Sequence, residues 1–227
     1  MRYDLVIFDN DGVLVDSEPS ANRILAAYLT ELGHPTTYEE SLRDFMGGAM
    51  HRIHEAVLER SGKRLPVGFD ETFEARVFEE FRRRLEPVVG VVEVLDKLAA
   101  DGVPYCVGSS GSHERIRVAL TETGLFERFA EGRAGGVGRR PARRLFSSQD
   151  VGRGKPTPDL FLHAAREMGV APERCAVVED SPLGVQAAVA AGMDVYGFTA
   201  MTPAAKLTEA GATALFAHMA ELPALVQ

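Results

Sequence analysis

Short apolar runs alternate with helical periodicity along most of the chain. Leu5-Val6-Ile7-Phe8 is one such run, ending at Asp9, and Val103 to Gly108 is a second, with Pro104 near its start. Cys175 to Val178 is a third, ending in Glu179 and Asp180; Asp194 to Phe198 is a fourth and Ala214 to Phe216 a weaker fifth. Consecutive apolar positions, rather than alternating ones, suit strands buried on both faces of a parallel sheet. Helices are predicted between them. Val91, Val94, Leu95 and Leu98 follow helical spacing and Gly102 supplies a stop. Ser112 precedes Ile116, Val118 and Leu120, and that pattern stops at Gly124. Thr157-Pro158-Asp159 reads as an N-cap, a proline at the first helical position and an acid in the first turn, for a helix through Leu160, Phe161 and Ala164 to Gly169. Ser181-Pro182 repeats the signal, and Gly192 ends the helix. Such alternation predicts an α/β core.

One stretch departs from the alternation. From about Ser17 to Pro87 there are helical stripes and no convincing strand: Ile24, Leu25, Tyr28, Leu29 and Leu32; then Ile53, Val57 and Leu58; then Phe73, Val77, Phe78 and Phe81. This is too much helix for a crossover between the first two strands. It predicts a small helical domain, 17–87, inserted into a core made of 1–16 and 88–227. A second departure is Glu131 to Leu145, with five arginines (133, 139, 140, 143, 144) and four glycines (132, 135, 136, 138). That composition predicts a mobile, solvated loop.

Composition narrows the classes of function. The 227 residues are 45% hydrophobic and 26% charged, the balance of a globular protein, and the net charge is −8. An acidic chain is a poor partner for nucleic acid or an anionic membrane surface. Cys106 and Cys175 both sit in apolar runs and read as buried free thiols in a reducing compartment. Met1-Arg2-Tyr3-Asp4 leads into only four apolar residues, too few for the core of a signal peptide, and no apolar run approaches the roughly 20 residues that cross a bilayer. A cytoplasmic protein is expected.

The chemistry gathers at the ends of the predicted strands, where open α/β sheets place their ligands. Asp9-Asn10-Asp11-Gly12 sets two carboxylates at i and i+2 after the first strand, pointing to one side. Alone, this is also the composition of an ordinary turn. Gly108-Ser109-Ser110-Gly111-Ser112 offers hydroxyls and free N–H groups suited to a phosphate oxyanion. Lys155 precedes a helix start in a chain with 21 arginines and only four lysines, a compact point charge where a guanidinium fork would be bulky. Glu179-Asp180-Ser181-Pro182 sets two acids ahead of another helix, either capping it or completing a hard-cation site with Asp9.

Taken together, the order and spacing of these four motifs resemble the haloacid dehalogenase-like superfamily, most closely its phosphatase and β-phosphoglucomutase-like group with a helical cap, over essentially the whole chain. The resemblance implies a doubly wound, Rossmann-like parallel sheet with an α-helical cap, acting on a small phosphorylated metabolite, with a sugar phosphate the leading class. It implies that Asp9 attacks phosphorus to form an aspartyl-phosphate, that Asp11 protonates the leaving alkoxide and later deprotonates water, and that Ser109, with Ser110, binds phosphoryl oxygens. Lys155 would offset charge between Asp9 and phosphate. Mg²⁺ would be held by Asp9, the backbone carbonyl of Asp11 and Asp180, with Glu179 a further or indirect ligand. Asp11 is expected to have a raised pKa in the substrate complex.

The resemblance also separates neighbouring activities. Dehalogenases lack the second acid, which is Asp11 here. Phosphonate hydrolases use a cap lysine, but the cap's lysine, Lys63, lies well beyond the Gly47-Gly48 loop expected to face the substrate. Phosphoglucomutases carry a histidine and a cap arginine where this chain has Ala21 and Met50, with Arg52 near enough to stand in for the latter. Hydrolysis is favoured over the mutase alternative and over a non-catalytic phosphometabolite-binding module. The histidines (34, 51, 54, 113, 163, 218) show no ligand pairing, and His51 reads as a surface residue. Oligomeric state is not legible.

Overall fold

The computed structural model describes residues 2–47, 50–129 and 144–227. Among these, six parallel strands form one sheet: β1 (Leu5–Phe8), β2 (Tyr105–Ser109), β3 (Leu145–Ser147), β4 (Cys175–Glu179), β5 (Asp194–Phe198) and β6 (Ala214–Phe216), in the order β3-β2-β1-β4-β5-β6. Central strand β1 pairs in register with both neighbours, Phe8 opposite Val107 of β2 and opposite Val178 of β4. Strand order therefore reverses between β1 and β4, opening a crevice at their carboxyl ends. This is the doubly wound architecture expected.

Both faces of the sheet are covered, which is why its strands read as unbroken apolar runs. On one face Leu5, Ile7, Cys106, Val177 and Val195 pack against α8 (Asp159–Met168), α9 (Pro182–Ala190) and α10 (Ala204–Ala210). On the other, Val6, Phe8, Val107 and Val178 meet α5 (Val91–Ala100), α6 (His113–Glu122), α7 (Phe126–Phe129) and α11 (Leu222–Val226). Cys106 and Cys175 are buried free thiols on the first face. Burial pushes the Cys175 thiol up to about 12 and Cys106 higher still.

Four helices separate β1 from α5: α1 (Glu18–Glu31), α2 (Tyr38–Phe45), α3 (Met50–Ser61) and α4 (Phe69–Arg84). The predicted stripes supply their buried side chains, among them Leu25, Leu29, Ile53, Val57, Phe73, Val77 and Phe81; Leu58 is the exception and is exposed. These residues continue the apolar cluster of the α5–α6 face without a break. The chain runs out to the helices and back along two paired segments. Asp16 N–H donates to Glu86 O and Val88 N–H to Leu14 O, each at 3.0 Å, and Val15 bridges antiparallel to Pro87.

Some sequence expectations are corrected. Helix α8 starts one residue later than Thr157 would cap it; Pro158 is the capping position, and the Thr157 hydroxyl donates back to Gly154 O at 3.0 Å. Val103 and Pro104 lie before β2, because Val103 N–H closes the end of α5 on Leu98 O. Leu145, read as the end of a loop, begins β3; positions 130–143 of that segment lie outside the described residues.

Candidate active site

Asp9 is the residue immediately after β1, and its N–H donates to Val178 O of β4, which fixes its position in the crevice. Lys155 Nζ donates to Asp9 Oδ1 at 2.6 Å and to Glu179 Oε1 at 2.5 Å, and sits 5.1 Å from the Phe161 ring centroid. Both ion pairs are buried. Burial alone would lower the Lys155 pKa, but Asp9 and Glu179 more than offset it and hold the ammonium above its ordinary range. Burial pushes Asp9 up, with Lys155 opposing and Glu179 and Asp11 adding. Asp180 is also raised, by burial and by the charges of Glu179 and Asp9.

Asp9, Glu179 and Asp180 bring carboxylate oxygens within 4.8 Å of one another, the one such acid, histidine or cysteine cluster among the described residues. Two glycines make room for it. A Cβ on Gly12, whose φ is +79°, would fall 2.2 Å from Asp180 Oδ2, and a Cβ on Gly184 would fall 1.9 Å from Glu179 Oε1. Glu179 is fully buried, and its second oxygen accepts from Ser181 N at 3.1 Å and Ser181 Oγ at 3.0 Å. Three buried oxygen ligands, with one ammonium to balance them, fit a hard divalent cation.

Asp11 faces the other wall. Arg115 of α6 grips it, with Nη2 at 2.6 Å and Nε at 3.0 Å from Oδ1, while Ser17 Oγ donates to the same oxygen at 2.7 Å and Asn10 Nδ2 to the other at 3.2 Å. Burial pushes Asp11 up, but Arg115, Ser17 and Asn10 outweigh it and hold the carboxyl below its ordinary range. That is the opposite direction from the one expected for Asp11 in a substrate complex. Ser109 is buried at the end of β2; Gly111 N–H donates to its Oγ at 3.0 Å, leaving the hydroxyl proton free to serve a ligand.

These groups share one cavity of about 500 Å³. Its floor holds Asp9, Asp11, Ser109, Ser110, Lys155 and Asp180; its roof comes from the four helices, with Ala21, Leu25, Phe45, Met50 and Phe73, and from Gly47 between α2 and α3. Glu18, bonded to Asn22 Nδ2 at 2.9 Å, also lines it, and burial followed by the Asp11 charge raises its pKa to about 7.

A family model for haloacid dehalogenase-like hydrolases matches residues 3–192. The chain belongs to that family. The 6-phosphogluconate phosphatase of Escherichia coli is 31% identical to this hydrolase over 99% of this chain and 95% of its own. Hexitol phosphatase A of the same organism is 31% identical over 92% and 89%. Among solved structures, a haloacid dehalogenase-like protein of unknown function from Agrobacterium tumefaciens superposes with a TM-score of 0.83 at 37% identity, covering 99% of this chain and 97% of that one. A family hydrolase from Deinococcus radiodurans, with bound phosphate and sodium, gives 0.78 at 31% identity, covering 99% and 95%.

In this hydrolase the predicted residues Asp9, Asp11, Ser109, Ser110, Lys155 and Asp180 all reach the cavity, and Glu179 stands beside them. Gly47 lines it too; Gly48 lies outside the described residues. Ala21 and Met50 line it as expected, whereas Arg52 is exposed and does not. His51 is exposed. The sequence reading missed Arg115. It sits in Glu114-Arg115-Ile116-Arg117, where nothing distinguishes one arginine from the other.

Proposed function

We propose that the chain is a Mg²⁺-dependent phosphatase that hydrolyses a small phosphorylated metabolite, a sugar phosphate, through an aspartyl-phosphate on Asp9. In this reading 1–16 and 88–227 form the catalytic core and 17–87 a helical cap. The observation that carries it is the placement of Asp9, held by Lys155, on the floor of a cavity that also presents the free Ser109 hydroxyl. The phosphatase relatives support the same class of reaction.

Asp9 Oδ attacks phosphorus, and the bond to the sugar oxygen breaks as Asp11 delivers a proton to the departing alkoxide. Asp11 then takes a proton from water, which attacks the phosphoryl group and returns Asp9 as a carboxylate. Arg115 favours the ionised Asp11 that the second step needs. A phosphate dianion beside Asp11 raises its pKa toward the protonated form that the first step needs. Ser109 and Lys155 donate to phosphoryl oxygens. Asp9, Asp180 and the Asp11 carbonyl, with Glu179 alongside, would hold Mg²⁺, which when bound would supply positive charge to offset these carboxylates against the phosphate dianion. Ala21 and Met50 line the cavity where a phosphosugar mutase carries histidine and arginine, so water rather than a second sugar hydroxyl meets the phosphoenzyme.

The test is Asp9→Asn. The amide keeps the shape and loses the nucleophile, so kcat for phosphate esters falls by about a thousandfold or more with an unchanged circular dichroism spectrum. Activity within tenfold of the unaltered protein overturns the mechanism.

A further inference from the structure

Beyond Asp9, Asp11 and Asp180, the described charged groups lining the cavity are Glu18, Asp70, Glu74, Arg115 and Lys155. Both cations are already committed. Lys155 bridges Asp9 and Glu179, and Arg115 makes its hydrogen bonds to Asp11. The polar amide of Asn22 is spent as well: its Nδ2 serves Glu18, and its Oδ1 accepts from Ser41 Oγ at 2.8 Å. Glu74 differs. It accepts from Ser112 Oγ at 3.0 Å through one oxygen, and its side chain remains partly exposed to the cavity. Beside these acceptors the roof is apolar, with Leu25, Phe45, Ile53 and Phe73.

We propose, resting on the phosphatase reading above, that the substrate is the phosphate ester of an uncharged polyol, and that Glu74, with Glu18, selects against any second anion. Carboxylates accept strong charge-assisted hydrogen bonds from sugar hydroxyls. They meet a carboxylate or a second phosphate with like-charge repulsion in a site where, among the described residues, no unengaged cation compensates. The apolar roof suits the C–H faces of a carbon chain. The specificity named for the 6-phosphogluconate phosphatase relative, whose substrate carries a carboxylate, is therefore not expected here.

The decisive comparison is glucitol 6-phosphate against 6-phosphogluconate, which differ only in a hydroxymethyl or a carboxylate at C1. With Mg²⁺ present, at about pH 8 where both glutamates are ionised, kcat/KM favours glucitol 6-phosphate by about tenfold or more. Glu74→Gln, combined with Glu18→Gln, narrows that ratio by at least about threefold, with most of the change in 6-phosphogluconate KM. Equal or better turnover of 6-phosphogluconate overturns the inference and leaves the phosphatase reading standing. A ratio unmoved by both substitutions overturns the role of the two glutamates. Failure of both sugars and of p-nitrophenyl phosphate to turn over overturns the phosphatase reading itself, and this inference with it.

Discussion

Arg115 is the main group holding Asp11 below the ordinary carboxyl range. Its fork occupies both Asp11 oxygens while its guanidinium carbon lies 5.3 Å from the Phe81 ring centroid of α4. Replacing it removes the nearest positive charge from a buried carboxyl, so Asp11 moves up from its lowered position. The water-activating step needs ionised Asp11, so the rise of kcat with pH shifts to higher pH in Arg115→Ala. Arg115→Lys keeps a charge and shifts it less. A pH–rate profile on p-nitrophenyl phosphate, whose leaving group needs no proton, isolates that step; a limb that stays in place shows that Arg115 does not set it. Asp9, Asp11, Ser109, Lys155 and Asp180 were legible because each follows a strand or precedes a helix with a local signature. Arg115 was not, since its role depends on α6 lying across from β1, a tertiary fact with no trace in the neighbouring residues.

At the scale of elements, helix α9 is built to admit a neighbour's side chain. Gly184 is buried in its first turn, where alanine would ordinarily strengthen a helix by about 1 kcal/mol. Here the added methyl would land on Glu179 and displace a carboxylate that anchors both Lys155 and Ser181. Gly184→Ala is therefore expected to lower Tm despite the better propensity, and to cut activity about tenfold or more by releasing Lys155 from its place beside Asp9. Thermal melts and initial rates on one preparation check both; an unchanged or raised Tm shows that Glu179 can shift freely. The elements that escaped the sequence were the small ones. Strand β3 is three residues long, and α2 buries only Ser41 and Phe45, so neither has the apolar repeat by which periodicity is recognised. Helix α2 did carry one sign, the reciprocal Thr37–Glu40 capping box.

For the molecule as a whole, three carboxylates crowd the crevice against one lysine, a repulsion that opposes folding. A divalent cation that relieves it binds the folded chain alone. At a hundred times its dissociation constant this stabilises the fold by about 2.7 kcal/mol, or roughly 5–10 °C in Tm. Differential scanning fluorimetry with Mg²⁺, then with excess chelator, reads the gain and its loss, and Asp180→Asn should remove most of it. A Tm indifferent to Mg²⁺ in the unaltered protein shows that the cluster holds no such ion. The α/β class and the helical stretch after the first strand were legible from apolar runs. The order β3-β2-β1-β4-β5-β6 was not, because which strand lies beside which depends on contacts between distant segments.

The paired segments at 14–16 and 86–88 have a consequence for how such a protein changes over generations. The helical excursion departs and comes home at a single doorway, its two threads fastened by hydrogen bonds of 3.0 Å. Substitutions in α1, α2 and α3 can thus reshape the ceiling of the cavity while Asp9 and Lys155 stay where β1 and the α8 loop put them, whereas α4 is moored to α6 through Phe81 on Arg115 and Glu74 on Ser112.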